Sequence, residues 1–207
     1  MRASRCAAGL AATLTLAAGC AGVPVAPVSV ARASATVHQQ IAKDGGIPWD
    51  RARPLRWADF QGTPPETGAE GAQTGYSLLY GVSCTGATFE FDVSAVFVPG
   101  RSWVRTLVLA DPDEARRTLR HEQTHFDLTE VHARRLRKLL HDIYDPCRTG
   151  SADVPIEAER IITAETDAQR RYDDETRNGL DAARQRAWDQ DVAGWLSDLQ
   201  AYGEARP

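Results

Sequence analysis

Positive charge is in short supply in this chain: 24 lysines and arginines stand against 28 aspartates and glutamates, a net charge of −4. The arginines alternate with acids along predicted helices and form no basic stripe, so nothing is arranged to neutralise phosphates and nucleic acid is excluded as a partner. Cysteine is scarce, at four residues. Neither Cys84 nor Cys147 has the closely spaced neighbour that structural zinc sites use. No internal repeat is visible. No apolar run reaches the roughly 20 residues of a permanent membrane span, and the stretch Ala7 to Ala18 falls short of it.

That stretch follows Arg2 and Arg5 and leads to Gly19 and Cys20, the order of an export signal: basic start, apolar middle, small residues at the cut. Residues 1–19 are therefore set apart from the fold, and their loss takes the net charge from −4 to about −6. Leu16-Ala17-Ala18-Gly19-Cys20 resembles a bacterial lipobox, in which Cys20 becomes the lipid-carrying N-terminus and a membrane anchor. The alternative is an ordinary secretory peptide cut near Cys20 or Ala21. Either ending takes the chain out of the cytoplasm, as a cell-envelope lipoprotein (outer membrane or periplasm in a two-membrane bacterium) or as a secreted protein. With Cys6 removed and Cys20 lipidated, Cys84 and Cys147 remain in an oxidising compartment and are expected to form a disulfide.

Residues 20–46 read as a tether, because Ala21 to Ala35 is rich in Ala, Val, Pro and Ser and lacks helical or strand period. Residues 47–205 then form one domain. Its first part, residues 44–74, is punctuated by proline and glycine and reads mostly as loop around Trp57 and Phe60. Tyr76, Leu78, Tyr80, Val82 and Cys84 alternate as one strand, and Phe89, Phe91, Val93, Ala95 and Phe97 as the next, joined by a turn at Thr85-Gly86-Ala87. Pro99-Gly100 is a second turn, before an expected third strand from Trp103 to Leu109.

Asp111-Pro112-Asp113-Glu114 is a helix start: Asp caps free amides, Pro suits the first helical position and Glu114 completes a capping box. That helix is expected to run to about Tyr144. A second, from about Ile156 to Arg177, ends at Asn178-Gly179, and a third covers Asp181 to Tyr202 with Trp188, Val192, Trp195 and Leu199 as its apolar stripe.

The chemistry lies in His121-Glu122-Gln123-Thr124-His125. Histidines four apart on a helix share a face, so their imidazoles can converge on one ion, and they also share it with Leu128, Leu136, Leu139 and Leu140, which turns them inward. Glu122, rotated about 100° from His121, can reach a water on that ion without ligating it, the arrangement for metal-assisted hydrolysis of an amide. His132 lies on the same face but about 10 Å further along the axis, too far to share the ion. Glu130 and His141 point elsewhere. A third ligand is therefore expected from the second helix, where Ile161, Glu165, Ala168, Tyr172 and Glu175 recur at spacings of four and three. Glu175, beside the Asn178-Gly179 break, is the preferred ligand, with Glu165 and Asp173 next in line, and an ion pair with an arginine such as Arg171 is the rival role for that glutamate.

His121-Glu122-Gln123-Thr124-His125-Phe126-Asp127-Leu128-Thr129-Glu130, followed by Ala133-Arg134, resembles the signature of a bacterial family of predicted secreted zinc-dependent proteases, long classed as a domain of unknown function. Leu55, Trp57, Asp59-Phe60 and Gly62 resemble its early segment. Ser102-Trp103 resembles its motif before the helix, and Tyr172-Asp173, Glu175-Thr176, Gly179, Gln185 and Trp188 its C-terminal block, so the likeness covers about residues 50 to 200. It implies export, zinc and peptidase activity. Asn178 departs from it, standing where many members carry histidine. The expectation is thus an α+β, zincin-like domain: a small antiparallel sheet packed on a long metal-binding helix, with two further helices, acting as a zinc metallopeptidase on peptide or protein substrates. Two rivals remain at this point, a non-catalytic envelope lipoprotein and a zinc amidase acting on cell-wall peptides.

Overall fold

The computed structural model describes residues 30–143, 145–149 and 153–203. The export signal, Cys20 and residues 20–29 of the expected tether lie outside them. The fold is α+β. Helix α1 (Val30–Lys43) is followed by a short strand β1 (Ile47–Pro48), strand β2 (Ala72–Gln73), the long strands β3 (Tyr76–Thr85) and β4 (Thr88–Phe97), and β5 (Trp103–Val104). Helices α2 (Thr106–Ala110), α3 (Pro112–Asp142), α4 (Pro146–Thr149), α5 (Asp153–Thr176) and α6 (Ala182–Asp198) complete the order, and a single 3-10 turn at Gln200–Tyr202 closes it. No helix among the described residues is long and apolar enough to cross a membrane.

β3 and β4 form the expected hairpin, antiparallel from Tyr76 opposite Phe97 to Thr85 opposite Thr88. Its tight turn uses Gly86 at φ +62°, a conformation that costs glycine nothing. β1 pairs on the other edge of β4, and β2 pairs separately with β5. The alternation of β4 then sorts its side chains. Val93, Ala95 and Phe97 are buried in one cluster with Phe126, Ala133, Leu136 and Leu140 of α3. Val96, on the opposite face, meets the end of α1 near Ile41 and Gly46.

Two expectations are corrected here. The second half of the expected tether is helix α1, which packs against β3 and β4 and buries Val37. The stretch Ala21 to Ala35 has no period, but it overlaps only the start of a helix whose helically spaced Val30, Val37 and Ile41 lie largely beyond it and whose partner is the distant hairpin. The expected strand from Trp103 to Leu109 stops at Val104, and the next residues turn into α2. Val108 alone of that turn is buried, while Thr106 and Ala110, which a strand would turn to the same face, stay exposed with Leu107 and Leu109, a helical rather than alternating distribution. Arg105 fixes the bend by donating to the main-chain oxygens of Pro65 and Glu70.

α3 starts as its sequence dictates: the Asp111 carboxylate accepts from the amides of Asp113 and Glu114, 2.9 and 3.3 Å away. A second apolar cluster, Leu128, Val131, Tyr172, Trp188, Val192 and Leu196, holds α3 to α5 and α6. α3 also carries a buried ionic knot. Glu130 accepts from Arg134 and Arg137, and those arginines donate onward to the main-chain oxygens of Leu196, Val93 and Tyr202. One helix is thereby bonded to the sheet and to the C-terminal turn, with the desolvated charges paired.

Cys84 at the end of β3 and Cys147 in α4 form the expected disulfide, with Cα atoms 5.6 Å apart and a sequence separation of 63. Closing a loop of that length removes chain entropy from the unfolded state worth about 4 kcal/mol as an upper value. Cys147→Ser is therefore expected to lower the free energy of unfolding in urea by up to that amount, well away from the histidines of α3. Two titratable thiols in the unreduced, denatured wild-type protein would contradict the bridge.

Candidate metal centre

His121 and His125 lie one turn apart on α3 and are 4% and 8% exposed, so their rings meet other side chains rather than water. α5 runs back along this face of α3, and its polar side chains meet those of α3 in rungs one helical turn apart. Glu165 lies at Thr129, Gln169 at His125, and Asp173 at His121. Tyr172, fully buried, stacks its ring on His121 at 4.6 Å and stands edge-on to His125 at 4.9 Å. Its hydroxyl has two acceptors for its one hydrogen, the main-chain oxygen of His121 at 3.1 Å and the Gln185 amide oxygen at 3.0 Å.

These rungs bring three side-chain atoms together. His121 Nε2 and His125 Nε2 are 3.2 Å apart, and Asp173 Oδ1 lies 3.1 Å from the first and 2.9 Å from the second. The other ring nitrogens are occupied. His125 Nδ1 is 2.7 Å from Gln169 Oε1, and the Gln169 amide nitrogen donates to the main-chain oxygen of His125, which fixes the amide with its oxygen toward the imidazole. His121 Nδ1 is 3.2 Å from Gln185 Oε1, and the Gln185 amide nitrogen donates to Asp189. Both neutral histidines thus carry hydrogen on Nδ1 and turn a bare lone pair toward the carboxylate. Three acceptors face one another, an arrangement that repels unless a cation joins them.

The titration behaviour has the same sign. Burial works against a charged His125, but its hydrogen bond to Asp173 and the charge of that carboxylate raise the imidazole above the ordinary histidine value. For Asp173 burial alone would raise the carboxyl, yet the bonds from His121 and His125 hold it well below the usual carboxylate range. The donor set also fits a metal. Four-coordinate zinc with bonds of about 2.0–2.1 Å to nitrogen and oxygen has ligand atoms about 3.3 Å apart, close to the triangle found. A metal ion could therefore be held by His121, His125 and Asp173. Beside them Glu122 is 3% exposed, and its Oε2 is buried with no hydrogen-bond partner.

Glu175, the expected third ligand, is not brought to the histidines. Its Oε2 accepts from the Trp188 indole at 3.0 Å, with Arg171 near its other oxygen. The inward stripe of α5 continues from Tyr172 to Thr176, a step of four, and both are fully buried, whereas a step of three had pointed to Glu175. Asp173 follows Gln169 by the same step of four. Glu165 is buried one turn beyond Gln169, with Oε1 unpartnered, outside the triangle. His132 bonds the Leu128 main-chain oxygen through Nδ1, as its distance along the helix required, and burial lowers its pKa to about 4. His141 is exposed beside Asp142. Spacing and residue type single out neither Gln169 nor Gln185 as a partner of the histidines; the signal that could have found Gln185, as well as Asp173, is their place in the C-terminal block of the resembled family.

A family model described as bacterial protein of unknown function (DUF922) matches residues 71–179, more than half of the chain. No curated protein and no solved structure matches. The matched stretch contains His121, Glu122, His125 and Asp173, but not Gln185 or Asp189.

The turn after α5 closes the site. Arg177, Asn178 and Gly179 all have positive φ, at 53°, 53° and 76°. The exposed Asn178 bonds the Asp173 main-chain oxygen through its own amide at 2.9 Å. Gly179 lies directly on His121: a Cβ there would stand 3.0 Å from the His121 Cβ and 3.2 Å from Nδ1. His121, held by Tyr172 and Gln185, has little room to retreat. Gly179→Ala is expected to cost about 1–3 kcal/mol of stability through backbone strain and to weaken metal binding by displacing the ring. Urea unfolding of the metal-free protein and competition against a chromophoric chelator measure the two effects, and unchanged values in both would contradict this packing.

Proposed function

This chain belongs to the bacterial protein family of unknown function DUF922, and we propose that it is an exported zinc-dependent endopeptidase of zincin-like build. The observation that carries the reading is the convergence of His121 Nε2, His125 Nε2 and Asp173 Oδ1, 2.9–3.2 Å apart, with the neighbouring Glu122 buried and its Oε2 without a hydrogen-bond partner. Two imidazoles and one carboxylate are a catalytic rather than a structural zinc set, because they leave a coordination position for water or substrate. Asp173 takes the place for which Glu175 had been considered, and its side chain, 39% exposed, marks the side from which substrate arrives.

Zinc held by these three groups would polarise the scissile carbonyl and lower the pKa of a water toward about 7. The protein's own part is proton handling and orientation. Glu122 accepts the proton of the attacking water and returns it to the departing amine nitrogen, so that the peptide bond is exchanged for a carboxylate and a free amine. Gln169 and Gln185 keep the histidine protons on Nδ1, leaving Nε2 for the metal. Export is supported by the basic and apolar leader ending at Cys20, with lipid on that cysteine as the anchor, and by the Cys84–Cys147 bridge, which suits an oxidising compartment.

The variants separate the roles. Glu122→Gln keeps the ligands and is expected to retain one zinc per chain while peptide turnover falls about 100-fold or more. Asp173→Ala removes a ligand and is expected to lose zinc and turnover together. Glu175→Ala, which leaves the Trp188 indole N–H without its acceptor, is expected to leave both intact, at a stability cost of about 1–3 kcal/mol. Zinc content by elemental analysis and hydrolysis of a quenched-fluorescent peptide library read the outcome. Normal turnover in Glu122→Gln, or zinc lost in Glu175→Ala but kept in Asp173→Ala, would overturn the assignment.

A further inference from the structure

The two metal-facing histidines are oriented by glutamines, but the glutamines are not oriented in the same way. An amide can turn over, exchanging its oxygen for its NH2, and the turn decides which imidazole nitrogen carries the proton. For Gln169 the backbone settles the matter. Its nitrogen donates at 3.0 Å to the main-chain oxygen of His125, which can only accept. Gln185 has no such backbone partner. Its amide lies against the Tyr172 hydroxyl, 2.7 Å from nitrogen and 3.0 Å from oxygen, and the one hydroxyl hydrogen has two acceptors within reach, the amide oxygen of Gln185 or the main-chain oxygen of His121 at 3.1 Å, so the hydroxyl can face either end of the amide. The group that breaks the tie is Asp189, one turn along α6, whose Oδ1 accepts from Gln185 Nε2 at 2.8 Å.

An ionised carboxylate is an acceptor only, so Asp189 forces the NH2 of Gln185 toward itself and the amide oxygen toward His121 Nδ1. Asp189 is held in turn: Thr124 donates to the same Oδ1 at 2.9 Å, and Arg120 pairs with the other oxygen. We propose that Asp189 is a positioning residue for the metal centre, setting through Gln185 the Nδ1-protonated tautomer of His121 and so freeing Nε2 for the ion. Without it, Gln185 turns over, its NH2 faces Nδ1, and the proton moves to Nε2, where it bonds Asp173 and opposes metal binding. Asp189 lies outside the stretch matched by the family model. The inference rests on the reading of His121 as a metal ligand, but the tautomer can be measured without metal.

The experiment uses the full chain with labelled histidine. Nitrogen NMR of the metal-free protein, at alkaline pH where the imidazole is neutral, reads the His121 tautomer, and chelator competition reads zinc affinity. Wild type is expected to hold hydrogen on Nδ1. Asp189→Asn is expected to shift His121 toward hydrogen on Nε2 and to weaken zinc binding about 10-fold or more, within the range seen for outer-shell partners. The double variant Asp189→Asn, Gln185→Glu is expected to restore both, because a carboxylate at 185 accepts from Nδ1 whichever way it turns. A merely structural role would lower thermal stability without moving the tautomer. Hydrogen on Nε2 in wild type, an unchanged tautomer in Asp189→Asn, or no rescue in the double variant would overturn the proposal. An Asp189-dependent Nδ1 tautomer in a wild-type chain that binds no zinc would support the positioning of His121 and overturn the metal reading instead.

Discussion

Three acceptors about 3 Å apart, two of them buried imidazoles and the third a carboxylate at the solvent edge, repel one another unless something positive sits among them, and that confluence of His121, His125 and Asp173 is the constraint on which the site depends. It is set by the register of two helices. α3 offers a histidine on successive turns, α5 returns along it with Gln169 and Asp173 on successive turns, and the rungs match only because both helices advance by the same step. A slip of one residue in α5 would rotate Asp173 away by about 100°. The packing of Tyr172 against both imidazoles, ring on ring with His121 and edge-on to His125, locks that register from within.

The rest of the fold keeps α3 from moving. Its apolar residues bind the sheet on one side and α5 and α6 on the other. Its buried Glu130, with Arg134 and Arg137, ties the same helix to Val93 of β4 and to the C-terminal turn. Charges buried this deeply add little net stability, yet they are costly to mispair, so they favour one seating of the helix over its neighbours. The disulfide fastens the far end of the hairpin to the segment after α3. Rigidity is what a preorganised metal site needs, and the groups that supply it lie apart from the groups that would do chemistry.

Much of this was legible in the sequence where the cause is local. The hairpin follows from period-two alternation around Gly86, and the start of α3 from the capping chemistry of Asp111. The facing histidines follow from a spacing of four, and the exclusion of His132 from helical rise. What the sequence hid mostly depends on partners far along the chain. α1 is the exception: it has Val30, Val37 and Ile41 at helical spacing, but that stripe emerges only beyond the stretch from Ala21 to Ala35 that reads as tether. The residues after Val104 read as a strand, and the exposure of Thr106 and Ala110 on either side of the buried Val108 shows a helix instead. On α5 the apolar period left steps of three and four both open after Tyr172, and the choice of three led to Glu175 where the packing places Asp173. Of the glutamines that settle the histidine protons, Gln169 carries no signal at all, while Gln185 stood in the C-terminal block of the family resemblance without a role, because an amide's part is set by the partners the fold brings to it.

The central claim is that the three converging groups hold one zinc ion, and X-ray absorption spectroscopy at the zinc edge on the purified, stoichiometrically loaded chain tests it most directly. The account predicts a four-coordinate shell of nitrogen and oxygen at about 2.0–2.1 Å, with the outer-shell scattering of two imidazoles and no sulfur. A shell with sulfur, a shell with fewer than two imidazoles, or a chain that cannot be loaded with zinc would contradict it.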